Sequence, residues 1–316
     1  MFINSLHQFF FLEKQILVIA LGGNAIFGSN IKPQHLAIRS AAKDIAKLVD
    51  AGFGLVITHG NGPQVGDAIL RSEFSSAVAP YLPLHACVAE TQGMLGALIQ
   101  AAIMERTRSR IACLVTTTLV SKDDRAFANP TKPVGPVYSK QQLHKFRKIH
   151  PTAAVREIEP GKFRRVVASP DPISIVESDT IRDLVQENIV IACGGGGIPI
   201  TLQGKKVVFE DAVVDKDLAS ERLATAIGAS RFVSLTNVLG AYTNFKSRNR
   251  RLLKSVDAER MRKLLAAGEF EQGSMEPKVR AAIRFVNNTG KAAVIASLDR
   301  IVQAASLKSG TIVYKR

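Results

Sequence analysis

Three apolar runs that each end in glycine constrain the fold of this chain more than any other feature. Residues 16–21, 53–58 and 188–193 are short runs rich in Val, Ile and Leu, with few polar side chains. Such runs predict strands that are buried on both faces of a parallel sheet. The residues that follow them are Gly22-Gly23-Asn24, His59-Gly60-Asn61-Gly62-Pro63 and Gly194-Gly195-Gly196-Gly197.

These glycine-rich ends predict an anion-binding site. Glycine lets the backbone turn sharply and approach a ligand closely, and bare backbone N–H groups there can bind an anion. Because ligands bind at the carboxyl edge of an open parallel sheet, we expect the site at that edge. One glycine loop is often only a turn, but three loops, two of which carry Asn, favour a site. Pro63 also predicts that a helix starts beside the Gly60 loop, and a helix N-terminus attracts anions.

The remaining pattern alternates strands with helices, which predicts an α/β fold with a mainly parallel sheet. Helical periods cover residues 36–49, 88–103, 177–186, 218–227 and 301–307, strands are predicted at 111–116, 231–236, 292–296 and 311–313, and a hairpin lies within 201–214. The rhythm breaks at 121–166, where prolines cluster around a polar helix at 140–148. We interpret that stretch as an inserted subdomain or lid.

The composition predicts a globular protein with an anionic partner. Apolar residues make up 46% of the chain and charged residues 22%, and the formal net charge is +15 at pH 7. Nucleic acid is not favoured as the partner, because the cations are interleaved with acids and aromatic residues make up only 6%. A small anionic substrate fits better. The densest basic group, at residues 246–254, is interpreted as a solvated loop.

Neither secretion nor membrane insertion is predicted. Residues 1–12 lack a basic start and a cleavage site, so they are interpreted as an extension, and no run is expected to reach the length of a transmembrane helix. The three cysteines, Cys87, Cys113 and Cys193, are scattered, which predicts reduced thiols in the cytoplasm. No Cys/His spacing predicts a metal site.

Two lysines stand where a helix dipole disfavours a cation. Asp215 suits the N-cap and Asp217 the first turn of the helix predicted at 218–227, but Lys216 lies at the same positive end. Lys278 likewise follows Pro277, which we take as the first position of another helix. Each misplaced lysine costs only about 0.3–1 kcal/mol. Two of them, together with three glycine loops, indicate a phosphate clamp.

Phosphoryl transfer fits these parts better than other chemistry. The chain has no P-loop, no protein-kinase motif set, no G-x-S-x-G and no G-x-G-x-x-G after its first strand. Glycine N–H groups, helix N-termini and lysines promote phosphoryl transfer by positioning the groups and neutralising charge. His59 is interpreted as holding the Gly60 loop rather than acting as a base. Lys132, in a turn between two prolines, is by position alone an ordinary surface lysine.

Six segments resemble the carbamate kinases of the amino-acid kinase family, in the family's order and over nearly the whole chain after the extension. The glycine and Asp-Lys-Asp elements are shared by the wider family, whereas the Lys132 segment with its insertion is far more specific to carbamate kinases. The segments are Ala20-Leu21-Gly22-Gly23-Asn24-Ala25, Thr58-His59-Gly60-Asn61-Gly62-Pro63-Gln64-Val65-Gly66, Asn129-Pro130-Thr131-Lys132-Pro133-Val134-Gly135-Pro136, Gly194-Gly195-Gly196-Gly197-Ile198-Pro199, Asp215-Lys216-Asp217-Leu218-Ala219 and Gly273-Ser274-Met275-Glu276-Pro277-Lys278.

The resemblance implies the reaction ATP + carbamate ⇌ ADP + carbamoyl phosphate with Mg²⁺, serving ATP formation in arginine or agmatine catabolism. It implies a three-layer αβα sandwich with a mainly parallel open sheet, similar to acetylglutamate kinase. After an extension at 1–15, the domain at 16–316 would have a carbamate-binding lobe at 16–213, which includes the protruding subdomain at 121–166, and a nucleotide-binding lobe at 214–316. A cytoplasmic homodimer without membrane contact is also implied.

The resemblance implies a role for each matching residue. Lys216 and Lys278 would contact the transferring phosphate, Lys132 would serve the carbamate side and Asp217 would orient the lysines. A carbamate oxygen is already anionic, so a general base is not needed, and no metal-binding side chains are predicted. The substrate side is assigned to Gly22, Gly23, Asn24, Gly60, Asn61, Gly62, Gly195 and Gly196, and the nucleotide side to Thr236, Asn237, Val238, Tyr242, Met275 and Pro277.

Other functions stay open at this point. The chain departs from the usual family pattern at 156–163 and 243–248. It could be another small-acid kinase of this fold, although the Lys132 insertion argues against that. It could be a non-catalytic nucleotide- or anion-binding regulator, although a mere binder would not need Lys216, Asp217 and Lys278 together. A nucleic-acid-binding role would require a steep salt dependence of oligonucleotide binding.

Overall fold

The main sheet has eight strands in the computed structural model, which describes residues 14–22 and 31–316. All neighbouring strands in it run parallel except the antiparallel pair at residues 293–297 and 311–314. The predicted, mainly parallel sheet is therefore confirmed. Numbered in chain order, the strands lie in the spatial order β15 (Ser255–Asp257), β17 (Thr311–Tyr314), β16 (Ala293–Ser297), β12 (Arg231–Thr236), β1 (Ile16–Leu21), β2 (Gly54–His59), β9 (Asn188–Ala192) and β3 (Arg110–Cys113).

The central strand β1 shows why this sheet needs helices on both faces. All its residues are buried, and successive side chains point to opposite faces. Ile16, Val18 and Ala20 belong to the core on one face, and Leu17, Ile19 and Leu21 to the core on the other. The first face is covered by α6 (Ser178–Leu184), α7 (Lys216–Ala226), α8 (Ala258–Ala266) and α9 (Met275–Thr289), and the second by α1 (Ile31–Asp50), α3 (Leu84–Met104) and α10 (Ile301–Ala305), which completes the predicted αβα sandwich.

Two smaller sheets flank this sandwich. The predicted hairpin within 201–214 is present, and it forms the edge of a four-stranded sheet with strands β11 (Lys206–Phe209), β10 (Ile198–Gln203), β4 (Thr117–Val120) and β8 (Pro172–Ile175). A two-stranded ribbon, β13 (Tyr242–Thr243) and β14 (Arg251–Leu252), carries the basic group at 246–254. The cations of that group are exposed, as expected of a solvated loop.

The inserted stretch contains a sheet of its own. Strands β5 (Lys132–Ser139), β7 (Lys162–Val167) and β6 (Val155–Glu159) are antiparallel and pack with α5 (Lys140–Ile149), after a short helix α4 (Arg125–Ala128). Tyr138, Leu143 and Phe146 form a small core there. We call residues 132–167 the lid. The departure at 156–163 forms the β6–β7 hairpin, and β5 packs against α2 (Gly62–Ser75).

Several sequence-based expectations need correction or lie outside the described residues. The strand predicted at 111–116 ends earlier than expected, at Cys113, and the next strand, β4, starts at Thr117 in another sheet. Helix α9 begins at Met275, so Pro277 is its third residue rather than its first. Pro277 is tolerated there because the N–H groups of a first turn have no intrahelical partner. Gly23, Asn24 and the extension at 1–12 are not among the described residues.

The expectation that no run reaches transmembrane length is wrong for α3. Among the described helices, α3 has 21 residues and is apolar enough to span a membrane by length and composition. The core helix of a soluble protein passes the same test, and Leu95, Ile99 and Ile103 of α3 are buried against the main sheet. We therefore interpret α3 as a core helix.

Candidate active site

The glycine-rich strand ends meet at one edge of the sheet, as the sequence predicts. Strands β12, β1, β2 and β9 are neighbours and parallel, so their carboxyl ends lie side by side. A cleft of about 250 Å³ opens at this edge. Its walls include Gly22, Gly60, Asn61, Gly62, Gly195, Lys132, Lys216, Asp217, Lys278, Thr236 and Asn237 from the predicted set, and Val213, Val214, Asp215, Leu235, Gly273 and Ser274 in addition.

The loop after β9 depends on glycine for steric reasons. Gly194–Gly196 forms a single turn in which Gly195 has φ +66° and Gly196 has φ +92°. A Cβ on Gly195 would lie 2.2 Å from Asn61 Nδ2, and one on Gly196 would lie 2.3 Å from the Val214 carbonyl oxygen. Larger residues would therefore push this loop away from its neighbours. Gly196 is buried beneath the cleft rather than in its wall.

Asn61 stands at the N-terminus of α2 and faces the Gly195 loop. It is the N-cap residue, but its side chain makes no capping hydrogen bond. Instead, Nδ2 donates to Thr91 Oγ1 at 2.9 Å. The first backbone N–H groups of α2 are thus not satisfied by the cap, and such groups at the positive end of a helix dipole attract an anion.

His59 contacts two of the glycine loops, which agrees with its interpretation as a residue that holds them. The ring is fully buried, and Nδ1 lies 3.1 Å from the Gly60 carbonyl oxygen, so the proton resides on Nδ1. Burial lowers the pKa of His59, the Gly60 hydrogen bond raises it and the charge of Lys216 lowers it again, and the three effects together bring it to about 4. His59 is therefore neutral at pH 7. A Cβ on Gly194 would lie 2.6 Å from its ring, so His59 also packs against the second loop.

Asp217 holds two lysines at the floor of the cleft. Its Oδ1 lies 3.1 Å from Lys216 Nζ, and its Oδ2 accepts a hydrogen bond of 2.8 Å from Lys278 Nζ. Ser234, on β12, donates to Asp217 Oδ1 at 2.6 Å. Asp215 is the N-cap of α7, as predicted, and accepts from the Asp217 amide. The carboxylate is thus fixed in orientation from three sides.

The charge states of this cluster follow from burial and mutual attraction. Burial would raise the pKa of Asp217, but the ammonium groups of Lys216 and Lys278 outweigh it and hold that pKa far below its usual range. Burial lowers the pKa of Lys216 to about 8, with Asp217 raising it and Lys278 lowering it. At pH 7 the cluster carries two cations and one anion. It has a net positive charge before any ligand binds.

Lys216 has an ion partner but no hydrogen-bond acceptor. Its side chain is 10% exposed, and its approach to Asp217 Oδ1 is not aligned for a hydrogen bond. Among the described residues, no other atom accepts from this ammonium. A buried charged donor without an acceptor is costly, so the geometry leaves a place for the oxygens of an anionic ligand.

Lys132 lies at the rim of the cleft and not free in solvent. It is the first residue of β5 in the lid, and its Nζ lies 3.1 Å from Asp215 Oδ2. Its side chain is 31% exposed. The interpretation of Lys132 as an ordinary surface lysine is therefore not supported, and the lid brings it within the same cleft as Lys216 and Lys278.

The residues predicted for the nucleotide side do not all line the cleft. Thr236 and Asn237 do, at the end of β12. Val238 and Tyr242 follow along the chain and are half-buried, with the Tyr242 ring beside Phe245 and Arg250. Met275 and Pro277 lie in the first turn of α9, next to Lys278, and are also half-buried. Within the described part of the chain, no group of three or more His, Cys, Asp or Glu side chains could hold a metal ion.

The sequence did not reveal some partners of these residues. Ser234 is an apolar-strand residue by position, and Thr91 lies inside a long apolar helix. Their hydrogen bonds to Asp217 and Asn61 come from distant parts of the chain. One signal was available in the sequence, namely a polar residue at a position where the strand pattern predicts burial. Such a residue predicts a hydrogen-bond partner, since buried polar groups are nearly always hydrogen-bonded.

Comparison with known proteins identifies the family. A profile described as the amino acid kinase family matches residues 15–297. The carbamate kinase of Lentilactobacillus hilgardii is 41% identical over 95% of this chain and 97% of its own length, and carbamate kinase 2 of Staphylococcus aureus strain Mu50 is 40% identical over 95% and 99%. The structure of Giardia lamblia carbamate kinase bound to AMP-PNP superposes with a TM-score of 0.90 at 38% identity, covering 96% of this chain and 99% of that one. The chain belongs to the amino acid kinase family and, within it, to the carbamate kinases.

Proposed function

We infer that this chain catalyses the reversible transfer of a phosphoryl group between ATP and carbamate. The observation that carries this inference is Asp217 held between Lys216 and Lys278 in a glycine-lined cleft. The chain is also 41% and 40% identical to two carbamate kinases over nearly its whole length. A net positive, preorganised site suits a reaction whose transition state spreads negative charge over phosphoryl oxygens.

The side chains present fit a transfer that needs no proton acceptor. An anionic carbamate oxygen forms the new bond to the γ-phosphorus while the bond to the bridging oxygen breaks, and its electron pair leaves with ADP. No proton moves, which agrees with a neutral, buried His59. We assign Lys216 and Lys278 to the phosphoryl oxygens, and Asp217 to the orientation of both lysines. Gly22, Gly60, Asn61, Gly62 and Gly195 would donate backbone or amide N–H groups from the facing wall.

Mg²⁺ is expected to enter with the nucleotide. Asp217 and Asp215 are the carboxylates in the cleft wall, and both are already paired with lysines. This donor set fits an ion that is held mainly by ATP or ADP phosphates and water, as Mg²⁺ commonly is in kinases. When bound, the ion would neutralise charge on the β- and γ-phosphates. We place the nucleotide on the side of Thr236 and Asn237, with Val238, Tyr242, Met275 and Pro277 behind them.

The deciding experiment is ATP formation from ADP and carbamoyl phosphate with Mg²⁺, using wild type beside Lys216→Ala. Fast turnover that the variant loses would support both the reaction and the phosphate clamp. Binding of ATP without turnover would favour a regulator or a kinase for another acid, which a panel of small carboxylates would then identify. The ATP-forming direction, in arginine or agmatine breakdown, is proposed as the physiological one.

The assembly and location of the protein are further proposals. By its family we propose a cytoplasmic homodimer, and the free Cys87, Cys113 and Cys193 are compatible with a reducing compartment. Sedimentation equilibrium would contradict the dimer if it gave the mass of a single chain.

The pH dependence of the reaction should report the charge of Lys216. Because burial lowers the pKa of Lys216 to about 8, the charged form is lost as pH rises through that value. We expect kcat/KM for ATP formation to fall above about pH 8, since kcat/KM reports the free enzyme. Lys216→Arg keeps its charge at every accessible pH and should lack this fall in its residual activity. A flat wild-type profile up to about pH 10 would contradict this assignment.

Adding one methyl group at Gly195 should impair the site without unfolding it. The Cβ of Gly195→Ala would lie 2.2 Å from the Asn61 side chain, so either the Gly195 loop or the Asn61 amide must move. We therefore expect kcat/KM to fall by about 100-fold. Gly204→Ala is the matched control, because Gly204 has φ +62° in the hairpin turn and its added Cβ meets nothing within 4 Å. Both variants should lose about 1–2 kcal/mol of stability from the backbone strain. Equal activities of the two variants would refute the steric explanation.

A further inference from the structure

The base of the lid is fastened to one short segment of the body by two ion pairs. We call residues 211–217 the hinge segment. Lys132 Nζ pairs with Asp215 Oδ2 at 3.1 Å, and Arg165 Nη2 lies 2.6 Å and 2.5 Å from the two carboxylate oxygens of Asp211. The two cations belong to neighbouring strands. Lys132 is the first residue of β5, and Arg165 is on β7, where it pairs with Val134 of β5.

Backbone contacts join the same two parts. Ala168, just after β7, forms a parallel bridge with Ala212, and the Val213 amide donates to the Ala168 carbonyl at 3.0 Å. The chain that leaves the lid therefore runs beside the hinge segment. That segment continues directly into Asp215, Lys216 and Asp217. A change in lid angle would therefore act on this contact as well as on the packing of β5 against α2.

Arg165 is buried and depends on Asp211. The arginine is 6% exposed, and its Nε and Nη1 have no hydrogen-bond partner among the described residues. The Asp211 side chain is 59% exposed, and Tyr81 also interacts with Arg165. Because Asp211 bonds the buried guanidinium of Arg165, it limits where strand β7 can lie.

We propose that Arg165 and Asp211 are positioning residues that set the lid angle, and thereby hold the Lys132 ammonium at the cleft. This proposal rests on the proposed function, in which Lys132 serves the carbamate side. Neither residue is in the wall of the cleft. Their effect passes through Lys132, whose displacement by about 1 Å would weaken substrate binding and turnover. The pair should consequently matter for carbamoyl phosphate and much less for ADP.

The test compares Asp211→Asn with wild type in the ATP-forming direction. The amide keeps the size of the side chain and removes its charge, so we expect KM for carbamoyl phosphate to rise about tenfold while KM for ADP changes less than about twofold. Asp211→Glu keeps the charge but lengthens the side chain, so it should raise KM for carbamoyl phosphate by only about threefold. Glu159→Gln is the matched control, because it removes an exposed carboxylate that pairs with Lys162 on the lid, far from the hinge segment in the chain, and it should leave both KM values unchanged.

Repeating the comparison in the Lys132→Ala variant distinguishes positioning of Lys132 from simple support of the fold. In Lys132→Ala, the group that the pair positions is gone, so Asp211→Asn should add less than about twofold to KM. The same cost in both backgrounds, or parallel rises in the KM values of both substrates, would show that the pair only supports the fold and would overturn the proposal. If Asp211→Asn does not fold, Asp211→Glu decides alone, with a rise of about threefold that vanishes in Lys132→Ala.

Hydrogen exchange tests the hinge without relying on turnover. The Val213 amide, which bonds Ala168, should exchange faster in Asp211→Asn and at the wild-type rate in Glu159→Gln. Unchanged exchange in Asp211→Asn would overturn the lid fastening. Failure of wild type to form ATP would instead refute the proposed function, and the exchange result would still stand by itself.

Discussion

Lys278→Ala is expected to lower kcat for ATP formation by about 100- to 1,000-fold, with KM for carbamoyl phosphate changed by less than about threefold. Lys278 lies in the first turn of α9 and is held by Asp217 at 2.8 Å, so it is already in place before charge develops on the phosphoryl oxygens. An interaction that strengthens only in the transition state raises kcat rather than lowering KM. Steady-state kinetics with each substrate varied in turn measures the two effects separately.

The control for this variant is a lysine of equal charge on an exposed face. Lys263, on α8, is 75% exposed and pairs with Glu259 one turn away, so Lys263→Ala should keep wild-type kinetics. A raised KM with kcat unchanged in Lys278→Ala would mean that Lys278 binds ground state and transition state alike. The proposed role in charge stabilisation would then be wrong.

Asp217→Asn is expected to lower kcat by about 1,000-fold and to move the alkaline limb of the pH profile to lower pH. The amide has nearly the same shape but no charge, so Lys216 and Lys278 lose the anion that orients them. Burial lowers the pKa of Lys216, whereas the negative charge of Asp217 raises it. Without that charge the pKa of Lys216 falls below about 8, and the variant should be most active at a lower pH than wild type.

Ser234→Ala is the matched control for Asp217→Asn. It removes the hydrogen bond of 2.6 Å to Asp217 Oδ1 but leaves the charge, so we expect a loss of about tenfold in kcat and an alkaline limb close to that of wild type. Thermal unfolding should accompany both assays, since a buried pair that loses one partner costs about 3–5 kcal/mol. A limb that moves to higher pH in Asp217→Asn would contradict the electrostatic account.

Much of the fold could be predicted because its signals are local. Strand β1 was predicted from six consecutive apolar residues, and the N-cap Asp215 from its position before a helical period. Lys216 attracted attention because a cation at a helix N-terminus contradicts the dipole. These predictions depend on neighbours within one or two turns, where propensity and periodicity act directly.

The predictions that were wrong concern boundaries and length. The strand predicted at 111–116 ends at Cys113 because residues 114–116 pass from the main sheet to the four-stranded sheet, and this change of sheet does not alter the hydrophobic pattern. Helix α9 starts before Pro277 because a first turn tolerates proline at several positions. Helix α3 resembles a membrane span because its sequence is apolar nearly all round. A helix that is covered on several sides within a fold has this composition.

By itself, the sequence determined the strands, the helices and the edge at which the glycine loops would meet, because these follow from side-chain periodicity and from the backbone freedom of glycine. Only the tertiary structure decided which charges pair. Lys132 reaches Asp215 across 83 positions of the chain, and Lys278 reaches Asp217 across 61. Contacts over such separations depend on how the lid and the helices dock, and docking is governed by packing of whole surfaces rather than by any local pattern. The helix-dipole argument identified Lys216 and Lys278 and the resemblance to carbamate kinases added Lys132, but the folded chain decides what holds each of them in place.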